Sequence, residues 1–264
     1  NQEGIINGSD YSRYTMKANL NKQIKSWLKF GTSVSGTFAN SNVLKTATNN
    51  QNNGTEGVIR SALTYPASQT QEDLDNEYSM VAVPTRYINA LNENKNMTFR
   101  TSNYLNITLM DGLIFRSVLG YNYTRNDANK YWPSYLAEGK GIGGKSNAGD
   151  NWRTSLLFDN LLMYNKTFNR KHSVSATVGT SWEKAITVQG FGTDDTEGWL
   201  LQDAGTMTSV SSGKGDSQLF SLIGRLAYNY AGKYYLTFTA RNDASSKFAK
   251  GKRAAFFPSI GVSY

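Results

Sequence analysis

The stretch Thr98-Phe99-Arg100-Thr101-Ser102-Asn103-Tyr104-Leu105-Asn106-Ile107-Thr108-Leu109-Met110, followed by Asp111-Gly112 and then Leu113-Ile114-Phe115-Arg116-Ser117-Val118-Leu119-Gly120-Tyr121-Asn122-Tyr123-Thr124, reads as two β-strands joined by a tight turn. Leu105, Ile107 and Leu109 alternate with Tyr104, Asn106 and Thr108. That is the two-residue period of a strand with one apolar and one polar face. Asp-Gly between alternating runs is a hairpin signal because both residues tolerate positive φ. The same unit recurs on either side. Strand-like runs over 11–20 and 27–38 flank a short turn at 21–26, and a long segment, 39–96, leads to the quoted hairpin. A second long segment, 125–150, precedes runs at 152–164 and 173–188, which are joined by a short turn at 165–172. A third, 189–216, precedes runs at 219–230 and 234–241 around Ala231-Gly232-Lys233, and a last loop leads to 256–264.

Connectors that alternate short and long are those of an up-and-down barrel crossing an outer membrane, with short turns in the periplasm and long loops outside. The expected fold is all-β: an antiparallel transmembrane β-barrel segment with long extracellular loops around 41–95, 126–150 and 189–216. Nine strands are expected, whereas bacterial single-chain barrels close with even numbers. The expectation is therefore part of a 22-stranded barrel, a class whose lumen is plugged.

Alternation is clear in other strands as well. Tyr14, Met16, Ala18 and Leu20 oppose Arg13, Thr15, Lys17 and Asn19; Phe220, Leu222, Leu226, Tyr228 and Tyr230 oppose Ser221, Arg225 and Asn229. Phe256, Ile260, Val262 and Tyr264 oppose Phe257, Ser259, Gly261 and Ser263. Tyr and Trp gather at strand ends, among them Trp27, Tyr121, Trp152, Tyr164 and Tyr234, as interfacial girdles do. The run 152–164 alternates poorly, with Asp159 among apolar neighbours, and its faces are left open.

Only 39% of the 264 residues are hydrophobic, yet 12% are aromatic, with 16 Tyr against 5 Trp. No apolar run approaches the ~20 residues a membrane helix needs, but a barrel strand needs only about ten residues with alternate positions apolar. Cysteine is absent, which excludes disulfides and thiolate metal sites. The net charge of +8 comes from scattered residues such as Lys22, Lys25, Lys29, Lys166, Arg170 and Lys171, read as solvated turns; no dense basic run marks a nucleic-acid arm. The chain opens Asn1-Gln2-Glu3-Gly4, without an apolar leader, and ends at Ser263-Tyr264 within a strand-like run. The expectation is an internal piece of a longer protein, with 1–264 forming one barrel part.

Little points to catalysis. Gly139-Lys140-Gly141-Ile142-Gly143-Gly144-Lys145-Ser146 matches the phosphate-binding pattern letter for letter. That chemistry needs a strand before the motif and a helix after it. Asn147-Ala148-Gly149-Asp150 breaks helices, so the expectation is a Gly-rich loop tip. Asp194-Asp195-Thr196-Glu197-Gly198 lacks the ligand spacing of a calcium loop; it reads as a solvated acidic loop, with Ca²⁺ on an outer loop as the alternative. His172 is the only histidine and has no nucleophile in register. The chain is thus read as a non-enzyme. A short helix is expected over 55–63, capped by Thr55 and ended by Pro66. The loop aromatics Tyr78, Tyr87, Tyr131, Trp132, Tyr135 and Trp199 are the candidate contacts for cargo or a partner, against loop packing as the plainer role.

Ala240-Arg241-Asn242-Asp243-Ala244-Ser245-Ser246-Lys247-Phe248, with Phe256-Phe257-Pro258-Ser259 after it, resembles a signature of SusC/RagA-type TonB-dependent transporters. Ala244 stands where that family usually has Gly, a change of one turn residue. Ser221-Leu222-Ile223-Gly224-Arg225-Leu226 with Lys233-Tyr234-Tyr235-Leu236 is similar to the family's preceding hairpin, and Asn1-Gln2-Glu3-Gly4-Ile5-Ile6 with Ser9-Asp10-Tyr11 to its mid-barrel loop. The resemblance implies a Bacteroidetes-like outer-membrane importer energised by TonB-ExbB-ExbD and lidded by a SusD-like surface lipoprotein, with oligosaccharide or peptide cargo. It also implies a plug domain and TonB box, neither of which is in this chain. The alternative is a soluble extracellular glycan-binding β protein, in which the same strands cover a core.

Overall fold

The computed structural model describes residues 1–44, 58–64, 68, 88–136, 144–194 and 207–264. They form one antiparallel sheet in which every strand pairs with its neighbour in sequence. The strands are β1 Gln2–Glu3, β2 Asp10–Lys25, β3 Leu28–Asn42, β4 Leu91–Met110, β5 Leu113–Trp132, β6 Lys145–Phe168, β7 His172–Asp194, β8 Met207–Tyr230, β9 Tyr234–Ser245 and β10 Ala254–Ser263. One short helix, α1 Val58–Thr64, lies between β3 and β4. It falls on the expected helical stretch, while Thr55 and Pro66 lie outside the described residues.

The nine expected strands are all present, joined by the two-residue β1, which pairs with Tyr11 and Asp10. Their bounds need correction. β5 runs on to Trp132 and β6 begins at Lys145, so most of the expected loop 125–150 is strand. β7 continues to Asp194 and β8 starts at Met207, so the loop expected at 189–216 shrinks likewise. β4 begins at Leu91, inside the first expected loop. Asn, Gly and Ser disfavour strands in isolation. Here each extension is zipped to an equally long neighbour, as in Asn126↔Asn151 and Asn151↔Gln189, and the ladder overrides local propensity.

The short turns lie at one end of the sheet. Gly112 adopts φ +80, and its carbonyl accepts a hydrogen bond from Asn165 N at 2.8 Å. Asn169 and Arg170 turn β6 into β7 with φ of 48 and 55, and Ala231 and Gly232 turn β8 into β9 with φ of 53 and 72. Ala231 N donates to the Lys171 carbonyl at 2.7 Å, tying the two turns together.

Register assigns every strand residue to a face, because cross-strand partners share a side. One face carries Leu105, Phe115, Leu162, Val178, Leu226, Phe238 and Ile260 in its middle rows. No second layer covers it among the described residues: Val178 is 55% exposed and Ile260 72%. A soluble sandwich would bury this face, whereas a membrane barrel offers it to lipid. Register also settles the run left open above. Trp152, Phe158, Leu162 and Tyr164 share the apolar face, and Asp159 points the other way with Val118 and Ser181. Leu157 and Leu161, which blurred the alternation, lie over Gly120 and Gly179 on the polar face.

Rings border the apolar band. At the short-turn end, His172, Tyr230, Tyr234 and Tyr264 follow one another with centroids 5.0, 6.3 and 5.3 Å apart. Toward the other end stand Trp152, Tyr123 and Phe99, whose register places them on the same face. Twelve residues separate Trp152 from Tyr164. At ~3.3 Å each and a tilt of about 40°, they rise about 30 Å, the height of an apolar band with its girdles.

Candidate functional site, the polar face and its rim

The polar face sorts arginine. Among the described residues seven arginines lie on strands, and six of them, Arg13, Arg100, Arg116, Arg153, Arg225 and Arg241, are on the face opposite the apolar band. Only Arg125 shares the apolar band's side. It sits loop-ward of Tyr123, clamped by Asp127 at 2.9 Å and Asp150 at 3.2 Å. An arginine in the band would be expensive, so the strands carry this side chain inward or beyond the band. Lys17, Lys29, Lys130 and Lys145 join the polar face, against three carboxylates, Asp159, Glu183 and Asp243.

The signature Arg-x-Asp spacing acquires a structural reason. Two residues apart on a strand means the same face, and Arg241 Nε donates to Asp243 Oδ1 at 2.6 Å. The Arg241 Nη2 donates to Ser221 Oγ at 3.2 Å, across the ladder pair Ser221↔Asp243, and Ser221 is 1% exposed. The serines that follow fasten the next connector. Ser246 N donates to the Gln218 carbonyl at 2.9 Å, and Ser246 Oγ accepts from Gln218 N at 2.8 Å. Ala244 is not a turn residue: it pairs with Phe220 and Ala254 in a regular ladder, without positive φ, so the family's usual glycine has no conformational role to fill there.

Toward the short turns the polar face is packed more tightly. Tyr104 lies across Gly31, where any side chain would collide with its ring, and its hydroxyl donates to Asn21 Oδ1 at 2.7 Å. The Arg116 guanidinium stacks on that ring, 4.7 Å from its centroid. His172, at the same end on the apolar side, places Nδ1 2.7 Å from Tyr228 Oη.

The loop-side rim has a small core of its own. Leu44, Val58 and Leu136 are buried together, with Ile6, Ala90 and Trp132 packed against them. Trp132 is thus half-buried in the rim. Tyr131 pairs with Leu91 and Ser146 at the ladder's end, and Tyr135 is 45% exposed. Tyr78, Tyr87 and Trp199 lie outside the described residues, as do Asp195 to Gly198 of the acidic loop. The phosphate-motif residues Lys145 and Ser146 open β6. A strand stands where a nucleotide cradle needs a helix, so the letter match carries no nucleotide site. Alternation in the sequence already sets Arg13 and Arg225 opposite the apolar residues; register adds Arg100, Arg116, Arg153 and Arg241, whose parity with Ser, Thr and Asn carries the same signal.

A long-stranded antiparallel sheet with a ring-bordered apolar band on one face and a polar, arginine-bearing face opposite is the wall of a transmembrane β-barrel. No family model matches the chain. TonB-dependent receptor P3 of Formosa agariphila is 29% identical over the whole of this chain, which spans 28% of that receptor. Among solved structures, the RagAB peptide importer in its open-open state superposes with a TM-score of 0.78 at 18% identity, covering 96% of this chain and 30% of that one. The ferric-catecholate import receptor Fiu of E. coli K12 gives a TM-score of 0.56 at 8% identity, covering 97% and 39%. The chain therefore has the fold of a TonB-dependent receptor barrel and is similar to such receptors along its full length, in keeping with the SusC/RagA-type motifs. These relatives are receptors and importers.

Proposed function

We propose that this chain is part of the barrel wall of a TonB-dependent outer-membrane importer that takes up an oligomeric nutrient, an oligosaccharide or a peptide, together with a SusD-like surface lipoprotein. The observation that carries this reading is the sorting of the two faces along strands long enough to span the membrane and rise beyond it. The wall itself performs no chemistry. It holds the polar face toward a lumen and presents connectors 43–90, 133–144, 195–206 and 246–253 at one end. In this reading that end is extracellular in a Bacteroidetes-like cell, and the plug and TonB box lie elsewhere in the full-length protein. The barrel class of the superposed receptors and the ordered SusC/RagA-type motifs support it.

The test uses the full-length protein. It should fractionate with the outer membrane, migrate heat-modifiably in detergent and co-purify with a surface lipoprotein. Uptake of its oligomer should stop when TonB is deleted. Extraction into buffer as a soluble monomer would return the reading to the glycan-binding alternative.

A further inference from the structure

We propose that the polar face selects an acidic oligosaccharide, one bearing carboxylate or sulfate groups. This rests on the importer reading and adds the substrate's charge to it. Among the described residues, ten lysines and arginines against three carboxylates on one face of the strands is not a solvated balance of charges. A concave wall of one sign focuses its field into the enclosed space and concentrates ions of the opposite sign there.

The cations are also uncommitted. Among the described residues only Arg241 meets a carboxylate on this face. Arg13 Nε donates to Thr15 Oγ1 at 3.3 Å and Arg100 Nε to Asn122 Oδ1 at 3.0 Å, neutral acceptors that orient a guanidinium without cancelling its charge. Arg13, Arg100 and Arg153 are exposed on the polar face, in the half of their strands away from the short turns or at its border. Each offers the planar fork that pairs carboxylate or sulfate through two parallel hydrogen bonds. Lys130 and Lys145 continue the row to the rim.

Sugar is favoured over peptide by what lies between the cations. Asn94, Asn96, Asn126, Asn147, Asn151 and Ser211 share the same face toward the loops. Short amides and hydroxyls donate and accept, as sugar hydroxyls do. A peptide presents apolar side chains at intervals and calls for apolar recesses, whereas the loop-ward polar face is mostly Asn, Ser, Thr, Gly and cations, with Tyr11, Trp132 and Phe191 as its rings.

The full-length receptor, purified in detergent with its lipoprotein, is titrated with a polygalacturonate oligomer, a sulfated galactan oligomer, a maltooligosaccharide and a poly-glutamate peptide of matched length. The expected result is binding of the first or second that weakens steeply with salt, with the neutral sugar and the peptide at least tenfold weaker. R13Q/R100Q/R153Q should lose on the order of tenfold or more in acidic-sugar affinity, and the corresponding triple lysine variant should keep most of the preference for acid over neutral sugar. Equal binding of the neutral sugar, or tighter binding of the peptide, overturns the inference while leaving an importer in place. Binding of no oligomer of any charge counts against the importer reading itself. If the glutamine variant loses heat-modifiable folding, R153Q alone carries the comparison; an unchanged acid-to-neutral ratio in it assigns the arginines to structural pairing and overturns the inference.

Discussion

Arg241 shows how a strand places chemistry two residues at a time. Its guanidinium bridges Asp243 and Ser221, three groups brought to one spot by same-strand spacing and one ladder step. R241Q should lower stability by about 1 kcal/mol, since the Arg241 side chain is 44% exposed and solvent screens the pair. R241K should not restore it, because an ammonium lacks the fork that spans both acceptors. Melting of the heat-modifiable band reads both. On the outward side, loop-ward of Trp152 and beyond the apolar band, burial and a hydrogen bond that the protonated carboxyl donates to Asp127 push Asp150 above its ordinary range, with Arg125 opposing. A carboxyl whose folded value is raised favours the folded state most at low pH. That contribution is present below the unfolded value near 3.8 and is lost as pH rises through the higher folded value. D150N should flatten the stability profile between those two values, and a pH series of melting curves checks the sign.

Elements are decided by pairing as much as by local sequence. The β4–β5 turn needs Gly112: at φ +80 a Cβ would lie 2.6 Å from the carbonyl oxygen of Asn165 in β6 alongside. G112A should cost about 1–3 kcal/mol and slow barrel assembly, measured as the yield of heat-modifiable protein on refolding. The two faces of β7 give a sharper contrast. Val178 stands in the apolar band and Thr177 opposite it. V178R should cost about 2–4 kcal/mol where T177R costs little, because only the first places a charge against lipid. Equal costs would contradict the face assignment. The run 152–164 owes its confused pattern to Leu157 and Leu161, apolar side chains that fill the space over Gly120 and Gly179 on the polar side. Periodicity alone could not separate these leucines from lipid-facing ones, since only register tells which glycine lies alongside.

At the scale of the molecule, the connectivity fixes which connectors share an end. Cysteine is absent from the chain, so single cysteines report location cleanly. On intact cells, Tyr135→Cys should react with an impermeant maleimide and Lys233→Cys should not, because the β5–β6 connector and the β8–β9 turn lie at opposite ends. The reverse pattern would invert the orientation. Nearly all of the strand order was legible beforehand, because each hairpin joins neighbours in sequence and an up-and-down sheet needs no long-range information. The candidate contacts were less legible. Trp132 reads as a loop aromatic, but the rim draws it, with nearby Leu136, against Leu44 and Val58, which are far away in the chain.

The class of fold and the faces of most strands are written in local sequence, because dyad alternation and Asp-Gly turn chemistry act over a few residues and survive in any context. Tertiary pairing alone sets how far the strands run and which way Asp159, Leu157 and Leu161 point. It also decided that the arginines gather on one wall. Strand length and facing depend on the register of neighbours, and a ladder between equally long partners holds Asn- and Gly-rich segments extended that would not form strands alone.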